Sequence, residues 1–194
     1  MSLTPSTMLE LGTPAPEFTL PEPATGREVA LTDFADAGGL LVAFICNHCP
    51  YVKHIQEGLV AYARDYAPEG IAMLAISSND VDNYPDDGPA RMAEEAQRLG
   101  YPFPYLYDED QSVARAYRAA CTPDFFLFDG ERRLYYRGQF DDSRPGNDRP
   151  VTGADLRAAT DALLRGEPAP TEQAPSIGCN IKWKAGMEPE YFAT

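Results

Sequence analysis

A central mixed β-sheet with helices on both faces, the architecture of an α/β protein, is what this sequence predicts. Two features of the 194-residue chain carry that expectation. Short continuous apolar runs alternate with stretches of helical spacing as far as about Leu106. Beyond that point come two strand-like segments around a tight turn, and then one more helix.

The elements follow in order. The opening APEFTLPEPATGREVALTDF alternates about a Pro/Gly turn and reads as a hairpin, with residues 18–20 pairing near residues 29–31. Residues 40–45, LLVAFI, form a continuous apolar run bounded by Gly38 and Gly39, as in a strand buried on both faces. From 50 to 66 the apolar positions Val52, Ile55, Leu59, Tyr62 and Tyr66 recur at helical spacing, and Pro68 and Gly70 end the helix. Residues 71–76 make a second buried strand. After the loop SSNDVDNYPDDGP a helix is expected over 90–99, stopped by Gly100. Residues 103–106 give a short strand, and Asp110 is placed to cap a helix through Tyr117. Segments 125–128 and 133–138 flank the Asp129-Gly130 turn, and the last helix covers 152–164. A Pro-rich linker then leads to the tail IGCNIKWKAGMEPEYFAT, which holds Cys179 and Trp183. Residues 1–166 are expected as one domain, with 167–194 a linker and tail packing on it.

Composition narrows the partners. Sixteen basic against 30 acidic residues give a formal charge of −14, and no Lys/Arg cluster offers a stripe for phosphates. Nucleic acid is therefore not an expected partner. An anionic membrane surface is disfavoured for the same reason, and no apolar stretch approaches the ~20 residues of a spanning helix. The N-terminus has neither a basic n-region nor an apolar h-region, so a cytoplasmic location is expected. Four cysteines, Cys46, Cys49, Cys121 and Cys179, are too few for a disulfide-scaffolded miniprotein. In a reducing compartment such a set points to catalysis or metal binding.

Cys46 and Cys49 sit where an apolar strand hands over to a helix. A dithiol enzyme needs one cysteine that is a thiolate at working pH and a second within reach to release the mixed disulfide. Unpaired N–H groups and the positive dipole end of a helix start favour the anion at Cys46. His48, between the two cysteines, would stabilise it further as a cation. Such settings lower a cysteine pKa from about 8.5 into the ~3.5–7.5 range. Cys49 is then the resolving thiol, and Pro50 biases it away from helical geometry.

These residues carry a resemblance. Cys46-Asn47-His48-Cys49 after an apolar strand, with CTPDFFLFDG further on, resembles the thioredoxin superfamily. It is most similar to the redoxin branch, which joins peroxiredoxin-like AhpC/TSA proteins with the cytochrome-maturation thioredoxins. The resemblance spans roughly residues 12–164 and implies a thioredoxin-like fold with an N-terminal hairpin and a strand–helix insertion over 77–117. It also implies a cis proline at Thr122-Pro123 facing the cysteines, with the Thr122 backbone pairing with a bound substrate. The implied reaction is thiol–disulfide exchange without a cofactor, on protein or small-molecule disulfides, with a dithiol reductant regenerating the protein. A thiol peroxidase is the alternative within the branch. The chain departs from the pattern in four places. Ile45 replaces the aromatic residue before the first cysteine. The strand carries no buried acid, so a proton acceptor for Cys49 is sought at Asp80 or Asp82. The peroxiredoxin threonine is replaced by Cys46, and the late arginine by the Thr-Pro pair. A histidine beside the resolving cysteine implies a potential more oxidising than the thioredoxin value of about −270 mV.

Other readings compete for the same residues. A zinc site would draw four ligands from Cys46, Cys49, His48, His54, Cys121 and Cys179, but the second half of the chain lacks a close ligand pair, so no metal is expected. His54 reads as a helix-surface residue. Cys121 is read two ways, as a buried apolar residue or as a redox partner. Cys179 follows a linker that can span ~33 Å, so it could reach Cys121 as a second redox pair or simply pack with Ile177, Ile181 and Trp183. The acidic loop before residue 89 lacks the ligand order of an EF-hand and reads as solvated. Oligomeric state is left open.

Overall fold

The computed structural model describes residues 3–193. Strand β1 is Leu3–Pro5, and β2 (Thr19–Glu22) and β3 (Arg27–Ala30) form the hairpin. Then come β4 (Gly39–Phe44), α1 (Pro50–Tyr66), β5 (Ile71–Ser77), α2 (Pro89–Leu99) and β6 (Tyr105–Tyr107). The second half holds α3 (Ser112–Ala116), β7 (Cys121–Thr122), β8 (Asp124–Asp129), β9 (Leu134–Tyr136), α4 (Ala154–Leu164) and β10 (Ile177–Asn180).

The central sheet has the order β6-β5-β4-β8-β9. The first three strands are parallel, and β8 and β9 run antiparallel to their neighbours. The two-residue side-chain period of a strand sorts β4 into both cores. Leu41, Ala43 and Ile45 (just past the strand) join a cluster with residues of α1, α2 and α4, while Leu40, Val42 and Phe44 join one with α3, the hairpin and the tail. β8 divides the same way, Phe125 and Leu127 against Phe126 and Phe128. Both faces of the sheet are therefore covered, which explains why these strands read as unbroken apolar runs.

Several boundaries differ from expectation for local reasons. The hairpin pairs Leu20 with Val29, inside the expected register. β6 begins two residues later than predicted, at Tyr105, beyond Pro104. The start of α3 is held by Asp108 rather than Asp110. Asp108 is fully buried and accepts the N–H groups of Val113 and Ala114 at 3.2 and 2.9 Å, whereas Asp110 accepts only that of Ser112. At the entry to α4, Asp141 takes the N–H groups of Thr152 and Gly153, both at 2.7 Å.

The linker is tied to β9 and the segment after it. Tyr135 donates its hydroxyl to the Glu167 carbonyl at 2.9 Å, and Gln139 donates its N–H to Ala174 at 2.8 Å. The tail then becomes β10, the middle strand of a second sheet ordered β1-β10-β7. This places Ile181 and Trp183 in the core beside Phe126 and Phe128. Among the described residues no helix is long and apolar enough to cross a membrane.

Candidate active site

Cys46 lies two residues past β4, and Cys49 is the N-cap of α1. Cys49 is extended (φ −66°, ψ 123°), as Pro50 in the first helical position requires, and its carbonyl accepts the Lys53 N–H at 3.0 Å. Both sulfurs are covered, Cys46 being 1% exposed and Cys49 0%. The chain after β7 brings the Thr-Pro pair against them. The Thr122–Pro123 peptide bond is cis. Cys46 Sγ lies 3.5 Å from the Thr122 hydroxyl, and Cys49 donates its thiol proton to the Thr122 carbonyl at 3.2 Å. One residue thus touches both cysteines.

The loop between the cysteines is anchored by Asp87, an acid of the loop expected to be solvated. Asp87 is fully buried. Its Oδ1 accepts the N–H groups of Asn47 and His48 at 2.8 and 3.1 Å. Its Oδ2 accepts from Asn79 at 2.8 Å and lies 2.5 Å from His48 Nδ1. Burial works to raise this carboxyl, but the hydrogen bonds from His48 and Asn79 outweigh it and hold it below its ordinary value. Asp80 and Asp82, the expected proton acceptors, are not the groups that face the dithiol. Asp80 is occupied by Asn83 and by the N–H of Asp82, and Asp82 points to solvent. Nothing in the sequence sets Asp87 apart from its acidic neighbours; its burial depends on where the loop crosses the sheet end.

His48 stacks on Tyr84 with ring centroids 5.4 Å apart, and its Nδ1 also lies 3.9 Å from Cys46 Sγ. The same ring nitrogen therefore faces both the sulfur and the carboxylate. His54 is separate from this group and half-buried, with Nε2 3.2 Å from the Ser143 hydroxyl.

The dithiol ionises as a pair. Hydrogen bonding to Cys49, burial and the Asp87 charge push the Cys46 thiol up. The hydrogen bond from Cys46 brings Cys49 down to about 5 against its burial, and the N–H of Val52, third in the helix, adds to this without closing a regular capping bond. The immediate neighbours pull the other way. Cys46 faces the Thr122 hydroxyl, with the His48 ring beside it, whereas Cys49 faces a carbonyl that holds a thiol proton. One proton leaves the pair easily; the one that remains is shared between the sulfurs and is held tightly.

Cys121 and Cys179, a second redox pair in one of their two readings, do not face each other. In the antiparallel register Cys179 is opposite Thr122 and Asn180 is opposite Cys121. Directly opposed residues share a face and neighbours in a strand alternate, so Cys121 and Cys179 point to opposite sides. Cys121 is buried, with its thiol 3.5 Å from the Pro123 carbonyl, and burial and Asp124 raise it well above its usual value. All four cysteines are unbridged.

Of the ligands considered for zinc, only Cys46 and His48 come together with a further group, Asp87. Their ligand atoms lie within 4.8 Å of one another, the one such trio among the described residues. The short His48–Asp87 contact is a hydrogen bond that engages the ring nitrogen nearest the sulfur.

The sheet, the cis-proline segment and the paired cysteines at the start of α1 define a thioredoxin-like protein of the redoxin branch. The chain belongs to the AhpC/TSA family, whose model matches residues 11–137. It is similar to the thiol-disulfide oxidoreductase ResA of Geobacillus thermodenitrificans (strain NG80-2), with 29% identity over 133 residues, covering 65% of this chain and 67% of the relative. The crystal structure of an uncharacterized conserved protein from Geobacillus kaustophilus superposes with a TM-score of 0.93 at 54% identity, covering 96% of this chain and 98% of the other. A thiol:disulfide interchange protein of the thioredoxin family from Chlorobium tepidum TLS shares the fold, with a TM-score of 0.62 at 16% identity over 80% of this chain and 98% of its own.

Proposed function

We propose that this protein is a thiol–disulfide oxidoreductase working through Cys46 and Cys49. The observation that carries the reading is the convergence of both sulfurs on Thr122, one on its hydroxyl and one on its carbonyl. Cys46, beside the Thr122 hydroxyl and His48, attacks a substrate disulfide and releases one thiol. Cys49 then attacks Cys46 in the mixed disulfide, freeing the second thiol and leaving the Cys46–Cys49 disulfide. Thr122 and Pro123 flank the sulfurs and hold the substrate backbone. A dithiol reductant of the compartment, expected to be the cytoplasm, restores the reduced form.

The test is turnover of insulin disulfides by the reduced protein, with Cys46→Ser and Cys49→Ser beside it. Cys46→Ser abolishes turnover, and Cys49→Ser accumulates a mixed disulfide at Cys46 that dithiothreitol releases. Rapid consumption of hydroperoxide by a protein that leaves insulin intact would put the thiol peroxidase in its place.

A further inference from the structure

We propose that Cys179 is a third redox sulfur of this site: the Cys46–Cys49 disulfide isomerises to a Cys49–Cys179 disulfide and leaves Cys46 as a free thiol. This rests on the dithiol reading above and goes beyond it, because it makes Cys49 a branch point between two partners.

The argument is one of strand register. β10 lies between β1 and β7, and Cys179 is directly opposite Thr122. Its side chain therefore projects on the same face as that of Thr122, whose hydroxyl is 3.5 Å from Cys46 Sγ. The carbonyl of the same residue takes the Cys49 thiol at 3.2 Å. Cys179 is 3% exposed and packs in the same core cluster as Cys46 and Cys49, a cluster that Cys121 does not join. Gly178 fixes the approach of the strand, because a Cβ there would meet the Thr122 oxygen at 2.1 Å. Burial, and after it the neighbouring Cys49, pushes the Cys179 thiol up to about 12. At rest Cys179 is thus a protonated neighbour of Cys49, and the part of the shift due to Cys49 disappears once Cys49 is in a disulfide.

The step balances without an outside oxidant. Cys179 gives up its proton and its sulfur attacks Cys49 Sγ. The Cys49–Cys179 bond forms as the Cys46–Cys49 bond breaks. Cys46 leaves as a thiolate between the Thr122 hydroxyl and His48 and takes up the proton. One disulfide is exchanged for another and no electrons are gained or lost. The product is a monothiol form: Cys46 can enter a mixed disulfide that Cys49 cannot resolve until the bond returns from Cys179. Such a form reshuffles substrate disulfides instead of reducing them.

The experiment is disulfide mapping on the full chain. Wild type, Cys46→Ser and Cys179→Ser are oxidised with diamide, alkylated, digested and read by mass spectrometry. The expected result is an intramolecular Cys49–Cys179 link in Cys46→Ser. In wild type a fraction carries the same link with Cys46 alkylated, and Cys179→Ser loses it while retaining Cys46–Cys49. If wild type forms Cys46–Cys49 but shows no Cys49–Cys179 peptide, the third-sulfur proposal is overturned and the dithiol reading survives. Absence of both Cys46–Cys49 and Cys49–Cys179 from wild type overturns the dithiol reading itself. The wild-type digest decides the matter even if Cys46→Ser fails to fold.

Discussion

Asp87 and His48 form a 2.5 Å contact between Oδ2 and Nδ1 at the mouth of the dithiol loop, and the same carboxylate caps the backbone N–H groups of Asn47 and His48. A single buried acid thus fixes the loop and sets the charge beside Cys46.

Replacing Asp87 by alanine strands those two N–H groups together with the Asn79 amide. Unmade hydrogen bonds of buried groups cost about 1–3 kcal/mol each where water cannot replace them. Asp87→Ala is expected to lose roughly 2–4 kcal/mol of stability. Denaturant unfolding of the reduced protein is the check, and a loss within error of zero would show that the loop holds its shape without the acid.

The charge has a separate effect. Asp87 raises the Cys46 thiol, while His48, hydrogen-bonded to that carboxylate and 3.9 Å from the same sulfur, offsets its charge. Asp87→Asn should shift the first ionisation of the dithiol to lower pH, and His48→Ala should shift it to higher pH, as read from thiolate absorbance near 240 nm. The two groups touch, so the double variant should not equal the sum of the singles. Strict additivity would mean that they act on the sulfur independently.

Asp124 ties stability to pH with the opposite sign from a paired carboxylate. It is fully buried on β8, its Oδ2 accepts the Ala120 N–H at 3.1 Å, and burial raises it to about 7 from an ordinary 3.8. Between these values the folded chain holds a proton that the unfolded chain has released. The contribution is therefore complete below the unfolded value and is lost as pH rises to about 7. At most about 4 kcal/mol is at stake over that interval. Thermal unfolding from pH 4 to pH 8 should show a falling Tm that flattens in Asp124→Asn. An equal slope in the variant would assign the pH dependence elsewhere. Asp87, held below 3.8, loses its contribution only at more acidic pH and does not enter this window.

The sheet could be read from the sequence because both of its faces are covered. That makes residues 40–45 and 71–76 unbroken apolar runs, and the prolines and glycines at their ends mark the turns. The dithiol was equally legible, since its two cysteines are close in sequence and lie at a strand-to-helix junction. β1 and β10 were not. They are short, lack alternation, and become strands only because Thr122 offers a free edge more than fifty residues before β10. The placement of Cys179 depends on that register and on nothing local, which is why its partnership with Cys121 looked open. Asp87 was hidden for a similar reason: an acid in an acidic loop carries no sign of burial until the loop is docked.

The close approach of β10 to β7 makes a sharp prediction at Gly178. A Cβ built there lies 2.1 Å from the Thr122 carbonyl oxygen and 3.2 Å from Pro123 Cδ. The first obstacle is backbone, so it cannot rotate aside as the end of a side chain would. Gly178→Ala must push β10 away from β7 or twist the Thr122 peptide. Overpacking of this kind costs about 1–3 kcal/mol. The carbonyl that moves is also the acceptor of the Cys49 thiol, so the substitution should disturb the dithiol as well as the fold. The expected outcome is a lower Tm together with slower disulfide exchange at temperatures where the variant is still folded. An unchanged Tm would show that β10 can separate from β7 without cost. A lower Tm with exchange at the wild-type rate would uncouple the Thr122 carbonyl from the chemistry of Cys49.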